Sequence, residues 1–273
     1  MSEKRILILI LGLAVVLCRP VPAQQNPVQA VINYKDVEVV DYEEMKYPTL
    51  AQYAPYQSEG VVVVQVTLDD EGRIAEAKAI SGNFLLVPEV LANIKKWHFR
   101  STGGKTAIIV YNFRKVAGEC HSSSSVFTFQ RPNFVTVLGC LPTSEGWVKI
   151  EPVPMGEVVS DSDMQVLNFD EDFKYPPLAN QARIGGVVVL EVNLGKDGKV
   201  KEVVPLSGRP MLLTACVLSA QKWRFRPNAQ KKAVIVYDFR LDGEGPGQTI
   251  LEAPNFVTIT NTPVLVETQS VSN

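Results

Sequence analysis

The clearest hydrophobic pattern lies in the C-terminal half of the chain. In Gly186-Val187-Val188-Val189-Leu190-Glu191-Val192-Asn193-Leu194, the residues Val188, Leu190, Val192 and Leu194 alternate with Val187, Val189, Glu191 and Asn193. Period two predicts a strand with one buried face. Lys196-Asp197-Gly198 follows as a hairpin turn, with glycine taking the positive φ. A second strand runs from Lys199 to Leu206. Its apolar residues Val200, Val203 and Leu206 are three apart, which predicts a bulge. Pro210 then opens the main helix, because proline's fixed φ suits a first turn. Leu212, Cys216, Ala220 and Trp223 fall four, four and three apart and share one face. A third strand, Ala233 to Leu241, is expected to bury Ile235, Tyr237 and Phe239 and to expose Val234, Val236, Asp238 and Arg240. Before all of these, Tyr175 to Arg183 reads as a short helix opened by proline.

The same order recurs upstream. Tyr47-Pro48-Thr49-Leu50-Ala51 corresponds to Tyr175-Pro176-Pro177-Leu178-Ala179, and Gly60 with Val61 to Val66 corresponds to the valine strand. From the glycine turn onward the offset is a constant 126 residues: Gly72 and Gly198, Ser81 and Ser207, Trp97 and Trp223, Tyr111 and Tyr237, Arg114 and Arg240. The helix face of the first half is Leu86, Val90, Ile94 and Trp97, and its third strand is Ala107 to Val116. Pro132-Asn133-Phe134-Val135-Thr136 and Pro254-Asn255-Phe256-Val257-Thr258 predict one more hairpin strand in each half. So long a constant offset reads as an internal duplication. Each half is then a small α+β unit, an antiparallel sheet with a helix across one face.

This ordered set resembles the C-terminal domain of the TonB family. That pattern is a Tyr-Pro-Pro-x-Ala start, a glycine-led valine strand, Asp-Gly, Ser-Gly and Trp-Arg-Phe-x-Pro. The second half fits at nearly every motif position. The first departs at Thr49, at a two-residue insertion between Ala51 and Gly60, and at Ser101. The resemblance implies a tandem pair of such domains, at 24–142 and 164–273. The linker, 143–163, shows no helical period and carries Pro152, Pro154, Gly156 and Ser160-Asp161-Ser162-Asp163.

Residues 1–23 stand apart. Lys4 and Arg5 precede the 13-residue apolar run Ile6 to Cys18, whereas a membrane-spanning helix needs roughly 20 residues. Val21-Pro22-Ala23 supplies small residues for cleavage before Gln24, so the segment reads as a signal peptide and places the chain in a periplasm. A second reading keeps Ile6 to Cys18 as an uncleaved inner-membrane anchor. In an exported chain Cys120 and Cys140, which flank a predicted hairpin of the first half, are a candidate disulfide. A loop of that size is worth about 3 kcal/mol in the chain-entropy model. Cys216 aligns with Val90 on the helix core face and is expected to be a buried thiol.

Charge and chemistry narrow the function further. A net charge of −2 argues against a nucleic-acid partner, which calls for a basic surface. Lys95-Lys96 sits at a helix end, where cations complement the dipole. The acidic runs Asp41-Tyr42-Glu43-Glu44 and Asp170-Glu171-Asp172 read as solvated faces. No catalytic set emerges. His98 follows the tryptophan, Cys120-His121 lacks evident co-ligands for a metal, and Ser122 to Ser125 reads as loop. No cofactor, metal or small-molecule substrate is evident. By resemblance, TonB-type domains bind an extended segment of outer-membrane receptors, which adds a strand to the exposed edge of the sheet. The expected function is therefore a periplasmic protein-binding module that pairs with extended segments of envelope or outer-membrane transport proteins. Val234, Val236, Asp238 and Arg240 are the candidate contacts of its partner-binding edge strand. Two other readings are a membrane-anchored energy transducer and, third, an exported enzyme.

Overall fold

The computed structural model of the 273-residue chain describes residues 37–54, 58–101, 105–116, 125–131, 133–141, 156–160, 164–241, 247–253 and 255–263. The predicted signal peptide, Cys120, His121 and most of the predicted linker lie outside these residues.

The first half comprises β1 (Val37–Asp41), α1 (Thr49–Tyr53), β2 (Gly60–Leu68), β3 (Ile74–Gly82), α2 (Val87–Ile94), β4 (His98–Ser101), β5 (Thr106–Val116), β6 (Val126–Arg131) and β7 (Phe134–Cys140). Within the predicted linker, Val159–Ser160 form β8. The second half runs β9 (Val166–Asn168), α3 (Pro177–Gln181), β10 (Gly186–Leu194), β11 (Val200–Ser207) and α4 (Pro210–Ala220). It ends with β12 (Arg224–Phe225), β13 (Lys232–Arg240), β14 (Gln248–Ala253) and β15 (Phe256–Thr260). The fold class is α+β. The two main sheets have strand orders β6-β7-β5-β2-β3-β8 and β11-β10-β13-β15-β14, and β1-β4 and β9-β12 form small separate ribbons.

The registers of the halves correspond. Gly60 pairs with Phe113 as Gly186 pairs with Phe239, and Val63 with Ser81 as Val189 with Ser207. The expected bulge is present, since Asn193 faces Glu202 while Leu194 faces Val200. Gly198 shows why its turn takes glycine. Its φ is 76°, and a Cβ there would lie 1.8 Å from the Phe225 carbonyl oxygen. That closeness lets the Phe225 N–H donate to Gly198 O at 2.9 Å, tying the turn to the chain that leaves the helix. Gly72 and Phe99 repeat the arrangement in the first half.

The helix face is as the spacing predicts: Leu212, Cys216, Ala220 and Trp223 are buried, as are Leu86, Val90, Ile94 and Trp97. Trp223 packs on Phe225 and Tyr237, at ring separations of 5.7 and 6.1 Å. The Tyr-Pro tyrosine has its own task. Tyr175 sets its ring edge-on to Phe239, and its hydroxyl donates to Ile184 O at 2.8 Å, fixing the chain just before β10.

The opposite face of each sheet departs from expectation. Successive residues of the first sheet enter two different cores. Val62, Val64, Ile109, Tyr111 and Val135 pack on the helix side. Val61, Val63, Ile108, Val110 and Phe134 join a core that contains the second half. The sheets therefore pack face to face, and the corresponding residues Phe134 and Phe256 stack at 5.8 Å. For this reason Val187, Val189, Val234 and Val236 are buried rather than exposed. Two further expectations change. The sheets are mixed, because β7 and β15 run parallel to β5 and β13. Asp170 is buried rather than solvated, with both carboxylate oxygens accepting from Lys222 Nζ at 2.9 and 3.1 Å.

Gly198→Ala should cost about 1–3 kcal/mol in backbone strain and more from the Phe225 contact. Gly156→Ala, with φ 68° and open space around a Cβ, should cost the strain alone. Denaturant unfolding distinguishes them, and equal losses would remove the contact from the explanation. The shared core also predicts one unfolding transition for both halves. Phe134→Ala and Phe256→Ala should each lower it by about 3–5 kcal/mol, with non-additivity in the double variant. Two calorimetric transitions, only one of which moves, would contradict a common core.

Candidate functional site

The four predicted contact residues share one face of one strand, but that strand is not an edge. β13 is paired on one side with β10 and on the other with β15. Val236 faces Val189 and Phe256, and its N–H donates to Asn255 O at 2.8 Å. A proline at 236 would thus break the fold's own ladder. Val234, Val236 and Asp238 are essentially without solvent contact. The Asp238 carboxylate accepts from Arg240 Nε at 2.6 Å. These side chains serve the interface between the sheets. Sequence reasoning missed this because it required one polar face per strand. A run such as Val187-Val188-Val189-Leu190, apolar at every position, is itself the signal of a strand covered on both sides.

The edges lie elsewhere, at β11 and β14 in the second sheet and at β6 and the β3–β8 margin in the first. They differ in openness. β11 presents Lys201 and Glu202 to solvent and contains Pro205, which has no N–H to offer; charge and proline both blunt an edge. β6 turns Phe127 and Phe129 onto Tyr42, at ring separations of 5.7 and 4.8 Å. β14 is the outermost strand on the side of β13 and exposes Ile250. It is anchored at both ends. Thr249 Oγ1 donates to Phe173 O, and Arg114 from the first half reaches Glu252 O and Glu252 Oε2, each at 3.1 Å.

The features peculiar to the first half gather at one end of its sheet. Lys115 Nζ donates to Gln52 O and Ala54 O at 3.0 Å and to Ser58 Oγ at 2.6 Å. Three oxygens match the three N–H groups of an ammonium. Burial lowers this pKa to about 8, with the Glu59 charge acting the other way. The lysine thereby closes the loop that carries the two-residue insertion. Lys115 pairs with Gly139, next to Cys140, which is disulfide-bonded. Its proposed partner, Cys120, lies outside the described residues. Cys216 is a free, buried thiol whose pKa is raised by that burial. Among the described residues no group of three or more His, Cys, Asp or Glu is placed to hold a metal. No helix among them is long and apolar enough to cross a membrane.

No curated protein and no solved structure matches the chain. Residues 171–241 match the model of the family described as Gram-negative bacterial TonB protein C-terminal. The match takes in α3, β10, β11, α4, β12 and β13, and it stops before β14 and β15, which extend the sheet beyond β13. Over residues 171–241 the chain is therefore similar to a TonB C-terminal domain.

Proposed function

We propose that the protein is a periplasmic binding module, built from two tandem TonB C-terminal-like domains, that captures extended segments of envelope or outer-membrane transport proteins by strand addition. One observation carries this reading: the matched domain belongs to a sheet whose last strand, β14, has no neighbour on its outer side among the described residues. Main-chain bonds to such an edge give affinity, and pockets for alternate side chains give selectivity. Ile250 offers the partner an apolar contact there. The edge sits two strands further out than the resemblance alone implies, because β15 pairs with β13 and β14 with β15.

Successive residues of an antiparallel strand direct their N–H groups to opposite sides. Of Ile250→Pro and Leu251→Pro, one variant should remove an outward N–H and the other a bond to β15. The outward variant should weaken binding of extended outer-membrane-protein peptides and keep its melting temperature; the other should lose stability. Titration with thermal unfolding reads both. If both folded variants bind as tightly as the parent chain, β14 is not the edge.

The periplasmic assignment rests on cleavage after Ala23. Intact-mass measurement of protein recovered from the envelope should give Gln24 as the first residue. Retention of Met1 would favour the anchored energy transducer instead.

A further inference from the structure

The two sheets part along one margin, leaving a cleft of about 530 Å³, within the ~300–1,000 Å³ typical of ligand sites. Corresponding residues of the two halves line it together: Gln65 with Glu191, and Ile80 with Leu206. The cleft borders the β3 edge. There β8 pairs with β3 only at Ser81 and Gly82, and from Ile74 to Ile80 the outer side of β3 carries no strand among the described residues. That stretch of β3 is about 20 Å long at ~3.4 Å per residue.

β8 shows what this margin accepts. It is an extended segment of the chain's own linker, added parallel to β3, with Val159 buried in the core shared by the sheets. The linker reaches this position after a turn at Gly156 and Glu157. Glu157 is held by Lys78 Nζ at 2.9 Å, and Gln230 Nε2 donates to Gly156 O and Val158 O at 3.0 and 2.9 Å. Gln230 Oε1 is left buried with no hydrogen-bond partner. An unsatisfied buried acceptor is costly, and an incoming amide N–H would satisfy it. The rim charges already pair internally, Lys78 with Glu157 and Lys232 with Glu191. The cleft therefore presents balanced charge around the apolar Ile80, Leu206 and Val159.

We propose that this cleft binds an extended, uncharged peptide segment with small aliphatic side chains, which continues the line of β8 along β3. The site needs both halves. β3 supplies the main-chain partners, and Leu206 and Gln230 of the second half supply the facing wall. The proposal rests on the reading of this protein as a strand-adding module but places a binding edge outside the family-matched domain.

The test uses the full mature chain and an acetylated, amidated hexapeptide alternating valine and serine. Hydrogen exchange and a binding titration are recorded together. The peptide should bind and protect Ile74 to Ile80. N-methylation of its serine amides should weaken binding about tenfold or more by removing main-chain donors. Leu206→Trp, which fills the cleft from the facing wall, should do the same, and Gln65→Trp provides a second filling variant should the first fail to fold. Ile250→Glu on β14 should leave the protection of Ile74 to Ile80 unchanged. Protection confined to β14 would overturn the cleft and leave strand addition standing. Binding at neither edge would overturn both. Undiminished binding at β3 by a folded filling variant would overturn the cleft as the site.

Discussion

The face-to-face packing of the two sheets, centred on Phe134 against Phe256, is the constraint on which the rest depends. β2 and β10 are apolar on both sides, and a strand of that kind is stable only when both sides are covered. Helices α2 and α4 cover one side of each sheet. Among the described residues, nothing within a single half covers the other. Burying a valine or phenylalanine is worth about 1.5–3 kcal/mol relative to leaving it in water, so a face of several such residues cannot stay open. Each half supplies the cover the other lacks. The interface is made of corresponding strands, and Phe134 stacks there on its counterpart Phe256.

That packing also dictates where a partner can bind. Once β13 lies between β10 and β15, and between a helix and a second sheet, all four of its sides are occupied. An added strand would then have only the rims to pair with, among them β14 in the second sheet and, in the first, a margin only partly filled by β8. β15, which flanks β13, and β14 beyond it lie outside the family match. The matched body supplies the sheet and helix, and the appended hairpin moves the open edge.

Much of this was legible in the sequence because it rests on local rules. The glycine turns, the proline-led helices, the four-four-three spacing on α4 and the bulge before Leu206 each follow from short-range geometry. The tryptophans were rightly read as core, since their phase matches the buried helix face. What was not legible depends on distant partners. Parallel pairing of β15 with β13 leaves no periodic signature, because Phe256-Val257-Thr258 would read alike in either direction. Asp170 looked like one residue of an acidic run until Lys222 was brought beside it. The burial of Asp238 followed from the second sheet, which no window of sequence around that residue contains.

Departures from strict correspondence between the halves matter as much as the likeness. Two identical faces would set like charges against one another across the interface, and a low-dielectric contact tolerates that poorly. The chain instead carries Asn112 where the second half has Asp238, which leaves one carboxylate rather than two. The corresponding arginines also diverge. Arg240 pairs with Asp238 on its own strand and neutralises it, whereas Arg114 crosses to Glu252 on β14. The first arrangement allows a charge to be buried; the second pins the outer strand of one sheet to the central strand of the other. Lys115 continues the same division of labour, since its counterpart position is Leu241 and only the first half has an enlarged loop to fasten. The differences at these three pairs of positions thus fall where perfect symmetry would have been electrostatically costly or would have left a strand or loop loose.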